Sequence, residues 1–275
     1  MGIFDFLKGN SKGAEKAKIH INTPERNTNV RLEHINEGNH GDHWAGIFGF
    51  SNFYDNPQVG SKLLSLLSTT GKKQMIDKFY EETRIDLGSI EFLSITRKQK
   101  IQTSYPIVKS TVTVDSISKT IKEWKHVNGI EAQIEGKCKN TFGISYFATD
   151  YLKNKEKYAS TLAQDIQLSG VAYSIHSATP MEGFAENFVG YTPSKEYGKF
   201  SVIDFVGEIV DLKHLQIPEY SIEGYIARIR LIQMDEDKDF FCLDTFVNKS
   251  TIQTEEFEIG NRISGMIWIQ GRIAE

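Results

Sequence analysis

A chain of 275 residues with 39% hydrophobic and 25% charged side chains and a net charge of −4 has ordinary globular composition, which argues against a disordered, collagen-like or membrane-spanning chain. The charge is uneven: fourteen Asp and Glu stand against seven Lys and Arg between 200 and 275, so that part should repel phosphate backbones rather than collect them. Cys138 and Cys242 fall in separate expected strands, an arrangement that supports neither a disulfide framework nor a zinc knuckle and points to a reducing compartment, the cytoplasm by default.

The opening Met1-Gly2-Ile3-Phe4-Asp5-Phe6-Leu7-Lys8 reads as a short amphipathic segment. Its apolar run breaks at Lys8-Gly9-Asn10, too early for a secretory signal or a bilayer span, and Phe6 stands where a myristoylation pattern needs Ser or Thr. Residues 9 to 18 are small and polar, so 1–18 is expected to be this segment plus a flexible linker, with the ordered body beginning near Ile19. From there to about 58 no period is visible, but the stretch holds four histidines, Trp44 and the glycine-aromatic run 46–54. Helical spacing over 60 to 83, with Leu63, Leu64 and Leu67 followed by Ile76, Phe79 and Tyr80, predicts two short helices joined at Gly71.

Strands are expected at 90–96 and 107–115, the second starting after Pro106, with a short helix at 116–126. A hairpin follows in which Ile130, Ala132 and Ile134 alternate with Glu131, Gln133 and Glu135. It turns at 139–141 and resumes with Phe142, Ile144 and Tyr146, one face buried and one in water. A polar helix or loop at 150–160 leads to an extended run, 162–176, whose apolar parity switches at Ser169-Gly170, as a β-bulge would make it.

Pro180, Pro193 and aperiodic glycines between 178 and 199 suggest a junction, giving an α+β domain over 19–195 with a helical pair and mainly antiparallel strands, and an all-β domain over 196–275. In the second, strands at 200–210, 222–232, 239–247 and 262–273, with a helical stretch at 250–257, resemble an OB-type small barrel, although one of the usual five strands is not distinct. The last strand is the clearest: every odd position from Ile263 to Ile273 is Ile or Gly, leaving Met266, Trp268, Gln270 and Arg272 on the even face. If it neighbours the strand carrying Arg228 and Arg230, then Trp268, Arg228, Arg230 and Arg272 form a binding face suited to a protein partner or stacked bases. Otherwise Trp268 closes a seam with the N-terminal part.

Glu33, His34, Glu37, His40, Asp42 and His43 gather metal-ligating residue types, which makes His34, His40 and His43 the candidate metal ligands. They lack both paired-ligand spacing and a helical His-Glu-x-x-His, so solvated loop histidines are the expectation. Ser11 in Gly-Asn-Ser-Lys-Gly spells a nucleophile elbow without the strand and helix that strain it. Gly71-Lys72-Lys73 and Asp235–Asp239 fail as phosphate and calcium loops. Basic residues outnumber acidic ones between 71 and 126 and interleave with Phe79, Tyr80, Phe92, Tyr105 and Trp124, a nucleic-acid surface unless the aromatics are core. The expectation is a non-catalytic cytoplasmic accessory or adaptor protein acting through protein-protein or small-ligand binding, without a cofactor. The alternatives are a single-stranded nucleic-acid binder using the OB-like domain and a metal-dependent hydrolase using His34, His40 and His43.

Overall fold

Period-two patterning dominates the text, and the computed structural model is accordingly mostly β. It describes residues 30–36, 38–50, 57–180 and 183–274. The segment 1–18 with Ser11, the residue Glu37, the aromatics between 51 and 54 and the side chain of Leu64 lie outside the described residues.

The first elements of the described residues are β1 (Arg31–Ile35), α1 (Gly41–Phe48) and α2 (Pro57–Thr70). A four-stranded antiparallel sheet follows, in the order β2 (Lys72–Met75), β3 (Tyr80–Asp86), β4 (Ile90–Arg97) and β5 (Lys100–Val108). The second predicted helix, with Ile76, Phe79 and Tyr80, is therefore a β-hairpin: helical spacing over so few apolar positions does not separate the two. Pro106 lies inside β5 and pairs with Phe92. It is tolerated there because β5 has no neighbour on its other side in this sheet.

The remaining strands are β6 (Thr113–Trp124), β7 (Ala132–Cys138), β8 (Phe142–Ala148), β9 (Gln164–Ser177), β10 (Gly190–Pro193), β11 (Val202–Ile217), β12 (Ile222–Ile232), β13 (Phe241–Asn248), β14 (Ile252–Gln253) and β15 (Arg262–Ile273), with α3 (Tyr151–Tyr158) between β8 and β9. The helix expected at 116–126 is part of β6, and that expected at 250–257 is a 3-10 turn followed by β14.

These strands and β1 form one large sheet in the order β1-β6-β7-β8-β15-β11-β12-β13-β9-β14, with β10 on β11. Two further pairings, β15 with β9 and β6 with β9, close it on itself. The result is two five-strand circuits, β9-β15-β11-β12-β13 and β9-β15-β8-β7-β6, which share β9 and β15. This overturns the expected α+β N-terminal domain followed by an all-β, OB-like small-barrel domain. The strand missing from the C-terminal pattern is β9, residues 164–177, and without it β13 and β15 have no common neighbour.

Sharing buries both faces of the two central strands. Ile263, Ile267, Ile269 and Ile273 join one core with Ile166, Leu168 and Ala172, whereas Trp268 and Val171 join a second. That second core lies between the large sheet and a cover made of α1, α2 and the four-stranded sheet, including Trp44, Ile47, Leu63, Leu67, Phe92 and Tyr105. The parity switch in β9 thus has two causes. Residues 168 to 172 are buried on both faces, and the register with β15 slips at Tyr173, where Met266 pairs with Ser174 and Ile267 with Ala172. The bulge is at Tyr173 rather than at Ser169-Gly170. Close by, Gly265 pairs with Ile175, and an added Cβ there would lie 1.9 Å from the Ser174 carbonyl oxygen, so the close approach needs glycine.

Candidate functional site

The site grows from the first turn of α1. Asn39 Oδ1 accepts a hydrogen bond from the Gly41 N–H at 2.8 Å, satisfying one of the donors that a helix start leaves free. The three-residue spacing of His40 and His43 then places their rings side by side, tilted by 52°, with Nδ1 to Nδ1 at 2.7 Å. His40 Nε2 lies 2.9 Å from Glu131 Oε1, which also accepts the Thr103 hydroxyl at 2.5 Å. Glu131 precedes β7 and Thr103 lies on β5, so the chain Thr103–Glu131–His40–His43 joins the two sheets through α1.

Aromatic rings enclose it. His43 stacks on Trp268 with centroids 3.4 Å apart and planes 4° from parallel. His40 stacks on Trp124 at 5.3 Å and meets the edge of Phe147 at 5.0 Å. Tyr105, whose hydroxyl donates to the Thr149 carbonyl at 3.1 Å, packs beside it. His40 and His43 are 8% and 3% exposed, so these are not solvated loop histidines: the loop becomes a helix whose histidine face is pressed into the second core.

Two ring nitrogens 2.7 Å apart share a single proton. His40 Nε2–H donates to the Glu131 carboxylate, which leaves His40 Nδ1 to pair with His43 Nδ1. Burial, and after it the neighbouring His40, holds the His43 pKa well below the usual histidine value. His43 is thus a neutral imidazole at neutral pH.

Two pockets flank the pair. The first, about 300 Å³, is lined by His40, Trp44, Gln102, Thr103, His126 and Glu131 among others. The second, about 240 Å³, is lined by His43, Asp42, Tyr173, Tyr197, Lys199 and Phe200 among others. Glu131 is 1% exposed, yet its Oε2 has no hydrogen-bond partner among the described residues. A buried carboxylate oxygen left without a donor is costly, and Glu131 is among the residues that line the first pocket.

The candidate metal ligands do not converge. His34 lies on β1 opposite Glu123 of β6, its Nδ1 4.0 Å from Glu123 Oε2. Both nitrogens of His40 are engaged by His43 and Glu131. Among the described residues no group of three or more His, Cys, Asp or Glu is placed to hold a metal ion.

The four residues of the expected binding face are also separated. Strand β11 lies between β15 and β12, and Trp268 is fully buried (0% exposed) against residues of both sheets. Arg230 is held by Glu208 and Asp239, each at 2.7 Å. Arg272 Nε donates to Gln167 Oε1 at 2.6 Å. Arg228 Nε donates to Asp244 Oδ1 at 2.8 Å, and the other oxygen of Asp244 accepts from Ser110 Oγ at 3.0 Å and the Thr111 N–H at 3.1 Å. Burial raises the Asp244 pKa, but Arg228, Thr111 and Ser110 together outweigh it and leave the carboxyl below its ordinary value. Because Asp244 ties the 110–111 connection to β13, Asp244→Ala should cost about 2–3 kcal/mol in urea unfolding at neutral pH. The deficit should shrink as pH falls below about 4, where the wild-type carboxylate is itself protonated. A change below about 0.5 kcal/mol would assign the ionic tie no weight.

Sequence reasoning did not single out Glu131 and Thr103. Glu131 sits on the face that alternation assigned to water, and the signal available was indirect: Glu131 precedes and Gln133 lies in a strand whose covering layer is not local. No family model matches the chain, and no curated protein matches it. Among solved structures, the cytoplasmic molybdate-binding protein ModG aligns with 61% of this chain and 99% of its own length at 9% identity, with a TM-score of 0.33, a likeness too distant to assign a fold or a ligand.

Proposed function

We propose that this chain is a small-ligand-binding protein whose ligand enters the pocket walled by His40, Thr103 and Glu131 and donates an N–H to Glu131 Oε2. The observation that carries this reading is the buried carboxylate with one oxygen satisfied twice and the other unpartnered at a cavity wall. Such an oxygen selects donors and rejects anions, so the ligand class is a small protonated amine or guanidine-type molecule. Gln102, Ser104 and His126 on the same wall supply polar side chains that set its orientation. The reading is one of binding without turnover.

Thermal-shift titration with methylammonium, guanidinium and short diamines, with acetate as the control, tests it. A cognate amine at a hundredfold excess over its Kd should stabilise the protein by about 2.7 kcal/mol. Glu131→Gln keeps the shape but removes the charge, and should weaken that ligand by about tenfold or more. If the substitution lowers stability too far to compare, Thr103→Val should instead strengthen or weaken binding while the fold stays intact. Stabilisation by acetate and not by amines, or equal amine affinity in Glu131→Gln, would overturn the reading.

A further inference from the structure

Most of the aromatics interleaved with the basic stretch 71–126 are core, since Phe92, Tyr105 and Trp124 are buried. Two are not. The turn between β2 and β3 and the turn between β4 and β5 lie side by side, because Tyr80 pairs with Arg97 and Arg97 with Lys100. The second turn is tight: Lys98 and Gln99 have φ of 50° and 63°, the signature of a two-residue hairpin. In the first, Asp77 Oδ1 accepts from the Phe79 and Tyr80 N–H groups at 2.6 and 2.9 Å, which occupies the one acid of the turn.

The resulting edge carries exposed apolar side chains inside a basic ring. Phe79 is 48% and Met75 57% exposed. Lys78 Nζ stands 4.8 Å from the Phe79 ring centre, and the Arg97 guanidinium lies 5.6 Å from both the Phe79 and Tyr80 rings. Lys98 and Lys100 are exposed beside them, and Lys72 and Lys73 follow along β2. The six cations Lys72, Lys73, Lys78, Arg97, Lys98 and Lys100 outnumber the two acids beside them, Asp77 and Glu81, of which Glu81 lies 3.9 Å from Lys73.

We propose that this double hairpin edge docks the protein on an anionic lipid bilayer, Phe79 and Met75 entering the interfacial layer and Lys78, Arg97, Lys98 and Lys100 meeting the lipid phosphates and carboxylates. The association is peripheral, as among the described residues no helix is long and apolar enough to cross a membrane. An aromatic ring with an attached cation sits naturally at headgroup depth, and basic residues near such a surface add attraction that salt screens. A nucleic acid would use the ring and the cations but would leave Met75 without a role. The proposal goes beyond the ligand pocket and shares no residue with it.

Co-sedimentation of the full chain with vesicles of phosphatidylcholine alone and with about 30% phosphatidylserine decides it. Binding should require phosphatidylserine and fall steeply between about 50 mM and 500 mM salt. The triple variant Lys78→Glu, Lys98→Glu, Lys100→Glu should weaken it by about 100-fold. The double variant Phe79→Ala, Met75→Ala should weaken it several-fold while the salt dependence remains. Because all these side chains are on the surface, unchanged circular dichroism and thermal melting should accompany both variants. Absence of vesicle binding, vesicle binding that both variants retain, or retention on a single-stranded oligonucleotide in place of vesicles would overturn the proposal.

Discussion

Trp268→Ala should cost about 3–5 kcal/mol of unfolding free energy, the largest single-residue effect expected in this protein. The indole is fully buried, lies flat on His43 at 3.4 Å and reaches Phe147 at 5.5 Å. Its strand neighbours Val202 and Val171 are buried in the same core. Removing it leaves a cavity beneath α1 that no flexible side chain can fill, since the surroundings are rings and β-branched residues held by both sheets. Its Nε1 makes no hydrogen bond among the described residues, so Trp268→Phe loses contact area without losing a bond and should cost only about 1–2 kcal/mol. Urea unfolding of the two variants gives both numbers, and a loss below about 1 kcal/mol for alanine would mean that the cover over this core contributes little to stability. A surface tryptophan awaiting a partner would behave in the opposite way, with little change in stability.

That contrast locates what the text could and could not reveal. Individual strands were legible where alternation is strong: the hairpin Ala132–Cys138 to Phe142–Ala148 and the strands at 222–232 and 262–273 appear close to where their periodicity put them. Their partners were not. Strand β9 belongs to both circuits, and nothing in Gln164–Ser177 announces that it will pair with residues about 100 positions away. The same non-local packing explains the misread faces. Even residues of β15 and the Glu131–Gln133 face of the β7 hairpin alternate as though half of each strand were wet, whereas a second layer built from 41–48, 57–70 and 80–108 covers them. Alternation reports that two faces differ in chemistry, and only the tertiary fold decides whether the polar one meets water. The histidines illustrate this most directly. His40 and His43 were visible only as metal-ligating residue types in a loop, and their significance depends on Glu131, 91 residues from His40, and on two tryptophans from distant strands.

The pair makes acid sensitivity the second large expected effect. His43 has a folded pKa well below the histidine value of about 6.5 that its unfolded form regains. Between the two values the unfolded chain binds a proton that the folded chain does not, so unfolding is favoured as pH falls. His43's contribution is therefore complete above about pH 6.5 and declines by about 1.4 kcal/mol per pH unit below it, until the folded pKa is reached. Protonation would place a charge flat against Trp268 in a dry site. The comparison that isolates this residue is His43→Phe, which keeps a ring on the indole and cannot titrate. It should be less stable than wild type at pH 7.5, because His40 Nδ1 loses its hydrogen-bond partner, and the two curves should converge as pH drops towards about 5.5. Parallel curves from urea unfolding across that range would show that the folded His43 takes up its proton as readily as the unfolded one. The neutral state of the buried His43 would then have to be abandoned.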